Sequence, residues 1–130
     1  MKPIKQADPF GCGIACVAFV LTINYKSALK LFVDGEKRAK EEGFYCKEIA
    51  ITLNHLGLKY KYLKKGLRKN VYRPNTIVFL KRSKKYPYGH YLVRFNNKWM
   101  DSWINLPDKN IKAGFRKRLP GKPIYTIFDG

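Results

Sequence analysis

The chain has 130 residues, 45% hydrophobic and 15% aromatic, which suits one folded domain with a single two-layer core and excludes a disordered or low-complexity protein. Its formal charge of +18 is lopsided: residues 1–58 carry 8 Lys/Arg against 6 Asp/Glu, whereas residues 59–130 carry 19 against 3. Such a field attracts RNA, DNA, acidic membranes or acidic proteins, although a role in solubility accounts for the charge equally well.

Three cysteines, an odd number without a paired framework, fit a reducing compartment or a reactive thiol better than a disulfide scaffold. Lys2 and Lys5 ahead of an apolar run raise the question of a signal peptide. Asp8, Pro9, Gly11 and Gly13 argue against it, as does the lack of a small-x-small cleavage site. The run from Ile14 to Ile23 is also too short to span a bilayer.

In chain order, the first informative stretch is Gln6-Ala7-Asp8-Pro9-Phe10-Gly11-Cys12-Gly13-Ile14-Ala15-Cys16. The glycines allow a sharp bend that feeds Cys12 into the first turn of a buried helix. There a thiol meets free backbone N–H groups and the positive end of the helix dipole, both of which favour the nucleophilic thiolate. Gln6, six residues upstream, is placed to loop back and aim its amide at an oxyanion forming beside Cys12. The plainer alternatives are a buried structural thiol at Cys12 and an ordinary surface side chain at Gln6. Cys16, one turn deeper, and Cys46 read as core.

Asn24-Tyr25 break the apolar run, residues 26–33 offer a short second helix, and Asp34-Gly35-Glu36 reads as a turn or helix start. Residues 36–42 are charged and expected to be exposed. In residues 46–56, Ile49, Leu53 and Leu56 fall at spacings of four and three, an amphipathic helix that Gly57 closes. His55, near its end, reads as a solvated or capping residue. Residues 58–63 alternate as a half-buried strand, and residues 76–80 read as a central one. Residues 64–74 and 81–87 are basic loops, and residues 125–128 make a last strand. Helices first and strands afterwards imply an α+β fold, with N-terminal helices packed on a mostly antiparallel sheet.

Residues 88–95 and 98–104 form a hairpin about Asn96-Asn97, which tolerate the positive φ of a type I′ turn. That turn pairs Phe95 with Lys98 and Arg94 with Trp99, and puts His90, Leu92, Asp101 and Trp103 on one face. Asp101 then becomes the diagonal neighbour of His90, about 7–8 Å away between backbones and within side-chain reach. A shift of one residue would send it to the other face. A carboxylate beside a histidine fixes the tautomer and orientation of the ring, the third element of a nucleophile–base–orienter set. The plainer reading of Asp101 is a hairpin charge, and that of Trp99 and Trp103 is sheet packing rather than base stacking.

The pattern Gln-x5-Cys-Gly-x-Ala-Cys at Gln6 to Cys16, with the later His90 and Asp101, resembles the double-glycine-leader (bacteriocin-processing) cysteine peptidases, a papain-like family. The resemblance covers residues 4 to about 107. It implies a papain-like fold, a helical part over about 12–57 and a sheet part over about 58–130, all within one domain of residues 1–130. It also implies Cys12 as nucleophile, His90 as base, Asp101 as its orienter, and Gln6 in the oxyanion hole. Two departures stand out: Gly11 occupies a position that is usually acidic, and Ser102 follows Asp101 where the family usually has proline.

The expected activity is therefore peptide hydrolysis, with Gly-Gly leader peptides as the implied substrate, no cofactor and no metal. The spacing of Cys12, Cys16 and His90 lacks a Cys-x2-Cys pair and speaks against a metal site. The expected location is the cytoplasm, in a stand-alone domain or a piece of a larger system, without the transporter often fused to this family. The rival reading uses the basic second half: an RNA-binding or RNA-cleaving toxin-type domain on the same scaffold, exported without a signal peptide of its own, in which His90 activates a ribose hydroxyl. A third is a binding module with a vestigial site.

Overall fold

The computed structural model describes residues 2–64 and 72–129. Of the basic loop expected at 64–74, residues 65–71 lie outside the described residues.

Four helices come first: α1 (Cys12–Leu21), α2 (Tyr25–Leu29), α3 (Gly35–Glu41) and α4 (Cys46–His55). Strands β1 (Tyr60–Leu63), β2 (Ile77–Leu80), β3 (His90–Phe95), β4 (Lys98–Asp101), β5 (Gly114–Arg116) and β6 (Pro123–Asp129) follow. Among the described residues they form one antiparallel sheet in the order β1-β6-β2-β3-β4-β5. This is the expected α+β arrangement, with β6 returning between β1 and β2. Among the described residues no helix is long and apolar enough to cross a membrane.

Helix α1 is apolar on every side because every side is covered. Residues Ile14 to Phe19 are at most 1% exposed, packed between α4 and the sheet. Thr22, at φ 57°, closes the helix, and the Ile23 N–H reaches the Ala18 carbonyl. The side chain of Asn24 then accepts from the Ser27 N–H and caps α2, which is shorter than the expected 26–33 because Leu31 to Asp34 turn away.

The charged segment expected to be merely exposed is a helix pinned on one side. Ala39 of α3 is fully buried, and Arg38 forks onto Glu48 of α4 (Nη1 to Oε2, 2.7 Å). Glu48 in turn accepts from the Tyr45 N–H at the start of α4, so one ion pair orients two helices. The chemical reason is that Arg38 offers a planar fork matching a carboxylate.

Two cores flank the sheet. The larger lies between the helices and the sheet face that carries Ile77, Tyr91, Val93, Met100 and Ile127. A smaller one on the opposite face gathers Val78, Leu80, Tyr86, Leu92 and Trp99 under the loops that bring in Tyr72, Leu106 and Leu119. Strand β3 is buried on both faces as a result.

The hairpin pairs in the expected register, with Phe95 opposite Lys98, Arg94 opposite Trp99 and Val93 opposite Met100. The turn differs from the expected type I′: positive φ occurs at Asn96 (52°) and not at Asn97. The strands are also shorter than expected, and β4 stops at Asp101, where the chain turns out of the sheet at Ser102.

Candidate active site

The N-terminal segment reaches the sheet before it reaches α1. The backbone N–H of Gln6 donates to the Ser102 carbonyl (3.2 Å), and its side chain is 1% exposed. The plainer expectation of a surface glutamine is thus incorrect. Gln6 Nε2 donates to the carbonyls of Asp8 (2.8 Å) and Pro9 (3.2 Å), bracing the turn that delivers Cys12. Gly11 completes that turn, its N–H donating to the Asp8 carbonyl.

Gly11 is required there. A Cβ at this position would lie 1.9 Å from the hydroxyl of Tyr25, which donates to Asp8 Oδ2 at 2.9 Å. The carboxylate near the nucleophile therefore comes from Asp8, held by a tyrosine of α2. Burial, then the bond to Asp8, holds the Tyr25 phenol far above its ordinary value.

Cys12 is half-buried at the first turn of α1, whereas Cys16 is completely buried and Cys46 nearly so. Burial pushes the Cys16 thiol well up, and burial pushes Cys46 up against the opposing hydrogen bond of Tyr91. Both are core thiols, as expected. His55 sits exposed at the last position of α4.

His90 opens β3, directly after Gly89. Gly89 has φ +76°, and a Cβ there would strike the Phe79 ring at 2.1 Å, so the backbone ahead of His90 is shaped by glycine. The imidazole is 2% exposed, its Nε2 is 2.7 Å from Asp101 Oδ1, and the Cys12 thiol lies close enough to act on its charge. The Tyr86 ring stacks flat on it, centroids 5.0 Å apart and planes 6° from parallel. With Nε2 committed to Asp101, Nδ1 is the nitrogen left for Cys12.

Asp101 is fully buried and accepts from three donors. Besides His90, they are the Trp103 N–H (3.0 Å) and Arg116 Nε (2.7 Å to Oδ2). Arg116 Nη2 also donates to the Ile104 carbonyl, so the guanidinium is fixed at both ends. Neither Arg116 nor Tyr86 is marked by sequence pattern. Strand β5 has three residues, too few to show a period, and lies in a basic tail whose other cations face water.

Burial alone would lower the His90 pKa, but the hydrogen bond to Asp101, the nearby Cys12 and the Asp101 charge outweigh it and hold the group up at about 9. Burial would likewise raise Asp101, yet its bonds to His90 and Arg116 and the Trp103 N–H bring it down to about 2. A carboxyl depressed from its unfolded value of about 3.9 contributes stability above that pH and loses it as pH falls through the folded value. Unfolding free energy is therefore expected to drop by about 2 kcal/mol between pH 5 and pH 2 through Asp101. His90 has the opposite sign: its contribution is full below about 6.5 and is lost as pH rises through about 9. Urea midpoints measured across pH 2–10 check both limbs, and a flat profile would contradict the pairing.

Cys12, His90 and Trp103 border a cleft of about 800 Å³. Phe10, Phe44, Phe79, Tyr88 and Tyr125 form apolar walls, and Lys47, Arg82, Lys84 and Lys85 stand on its rim with Glu42. Among the described residues no group of three or more His, Cys, Asp or Glu side chains could hold a metal ion.

Helices packed on an antiparallel sheet, with Cys12 at a helix start and His90 and Asp101 on neighbouring strands, make an α+β fold of the papain-like kind. Two solved structures share it over nearly the whole chain. One is the peptidase domain of Streptococcus ComA, described as a bi-functional ABC transporter involved in quorum sensing. It has 22% identity and a TM-score of 0.61, covering 98% of this chain and 96% of that one. The other is the peptidase domain of Streptococcus mutans ComA, with 20% identity and a TM-score of 0.56, covering 98% of both chains. No protein-family model matches the sequence, and no curated protein matches it. The shared fold is the one that the Gln6-to-Cys16 motif implies.

Proposed function

We propose that residues 1–130 act as a cysteine peptidase domain in which Cys12 is the nucleophile, His90 the proton carrier, Asp101 the group that orients His90, and Gln6 an oxyanion donor. The observation that carries this reading is the buried His90 ring, bonded to Asp101 and bordering the same cleft as the half-buried Cys12 thiol. Three groups in that order are what acyl transfer needs.

In the first step Cys12 Sγ, its proton passed to His90, bonds to the scissile carbonyl carbon. The carbonyl electron pair becomes an oxyanion beside the Cys12 backbone N–H and Gln6 Nε2. Of the two bonds that Nε2 makes, the 3.2 Å one to Pro9 is the weaker and the one an oxyanion would take over. Collapse breaks the C–N bond as His90 gives its proton to the leaving amine. Water, deprotonated by His90, then attacks the thioester carbonyl; the C–S bond breaks, the acid leaves, and Cys12 Sγ takes the proton back from His90. Tyr86, stacked on the ring, and Arg116, bonded to Asp101, keep the imidazole in place throughout.

The substrate is a peptide, and a Gly-Gly leader is the first candidate, supported by the Gln6-to-Cys16 motif and the fold shared with the two ComA peptidase domains. The aromatic cleft suits an apolar segment leading to the cleavage point. We place its work in the cytoplasm, because unpaired cysteines persist in a reducing compartment.

The test is incubation of wild type and Cys12→Ala with an apolar peptide containing an internal Gly-Gly and, in parallel, with total RNA. Wild type should cut the peptide after Gly-Gly, Cys12→Ala should not, and the RNA should stay intact. RNA cleavage that survives Cys12→Ala, with no peptide hydrolysed, would overturn the assignment in favour of a nuclease.

A further inference from the structure

Ser102 stands where the resembled pattern has proline, directly after Asp101. It is fully buried, as is Asp101 beside it. Its hydroxyl donates to Gln6 Oε1 at 2.7 Å, and its carbonyl accepts from the Gln6 backbone N–H at 3.2 Å. A proline here would keep the carbonyl but offer no hydroxyl, leaving Oε1 as a buried acceptor without that donor.

The amide of Gln6 is consequently gripped from both ends. Two carbonyls, which can only accept, hold Nε2, and a hydroxyl holds Oε1. We infer that Ser102 is a positioning residue for the oxyanion donor: its hydroxyl fixes the Gln6 side chain so that Nε2 stays beside the Cys12 loop. The inference rests on the peptidase reading of the site.

The arrangement has a structural economy. Asp101 holds the base and the next residue holds the oxyanion donor, so a single dipeptide at the end of β4 aligns both halves of the site. Any slip of β4 would displace the two together. A transition-state donor misplaced by about 1 Å loses much of its effect, because the charge it must meet is localised.

The test is a double-mutant cycle on the Gly-Gly peptide using Gln6→Ala, Ser102→Ala and the pair, with Ser102→Thr as the variant that keeps a hydroxyl. Gln6→Ala should lower kcat by about 10²-fold. Ser102→Ala should lower kcat about 10-fold with KM unchanged, Ser102→Thr should recover most of it, and Ser102→Ala should add nothing in the Gln6→Ala background. Alkylation of Cys12 by iodoacetamide develops no oxyanion, so its rate should be the same in wild type and Ser102→Ala. Because that rate reads an intact site without any peptide, a misfolded variant shows itself directly.

Additive losses in the cycle, or a full kcat in Ser102→Ala while Gln6→Ala is impaired, would overturn the positioning role and leave the peptidase reading standing. A wild-type protein that labels at Cys12 but cuts no peptide would remove that reading itself, and this inference with it.

Discussion

Asp101→Asn is expected to reduce kcat on a peptide by about 10³–10⁴-fold while changing KM little. The substitution is nearly isosteric, so its effect is chemical. Asp101 accepts from His90, the Trp103 N–H and Arg116. An amide offers one acceptor atom where the carboxylate offers two, and its NH2 must face a donor. The preferred resolution turns the amide N–H toward the imidazole, which leaves His90 in the wrong tautomer to take a proton from Cys12. Removing the negative charge also leaves the partly buried Arg116 guanidinium without its counter-charge, a loss of about 3 kcal/mol in folding stability. The acid limb of the stability profile should vanish in the same variant. Steady-state kinetics and urea melts on one preparation read all three effects. A variant with kcat within about 10-fold of wild type would mean that Asp101 is only a structural ion-pair partner of Arg116.

The second large effect concerns thiol reactivity. Iodoacetamide at pH 6 is expected to label Cys12 at least about 100-fold faster than Cys16 or Cys46, by peptide mass mapping. Exposure and charge act in the same direction here. Cys12 is half-buried and borders the cleft with His90, whereas the other two are shielded and burial pushes their thiols up. His90→Ala should slow Cys12 labelling by about 10-fold or more at that pH, because it removes the group placed to take the thiol proton. Equal labelling of all three cysteines in the folded protein, or none before denaturation, would remove Cys12 as nucleophile.

The parts of this site that periodicity governs were readable from residues alone. The apolar run after Cys12 led to a buried helix starting at the cysteine, since a run of that length flanked by glycines has few other outcomes. The alternation around Asn96-Asn97 led to a pairing of Arg94 with Trp99 that the structure repeats, although the turn itself uses positive φ at Asn96 alone. With the register known, the proximity of His90 and Asp101 follows, because a one-residue slip would bury the wrong faces. Most of residues 36–42 are exposed, as their composition implies, but composition does not show how the segment is held. Residues 36–42 look like a solvated face, yet Arg38 reaches ten residues on to Glu48 and binds α3 to α4.

What the sequence by itself determined is thus the order of helices before strands, the hairpin register and the identity of Gln6, Cys12, His90 and Asp101 as candidates. All are properties of residues close in the chain or of spacings set by one turn. Only the tertiary structure decided how those candidates are held. Arg116 meets Asp101 from 15 residues away, and Ser102 meets Gln6 from 96. Tyr86 stacks on His90 out of a loop that reads as merely basic. These contacts join single side chains on separate segments, so no repeat or run announces them. They exist because burying a carboxylate, an imidazole and an amide together requires a partner for every polar atom, and the folded chain supplies those partners from wherever its backbone passes.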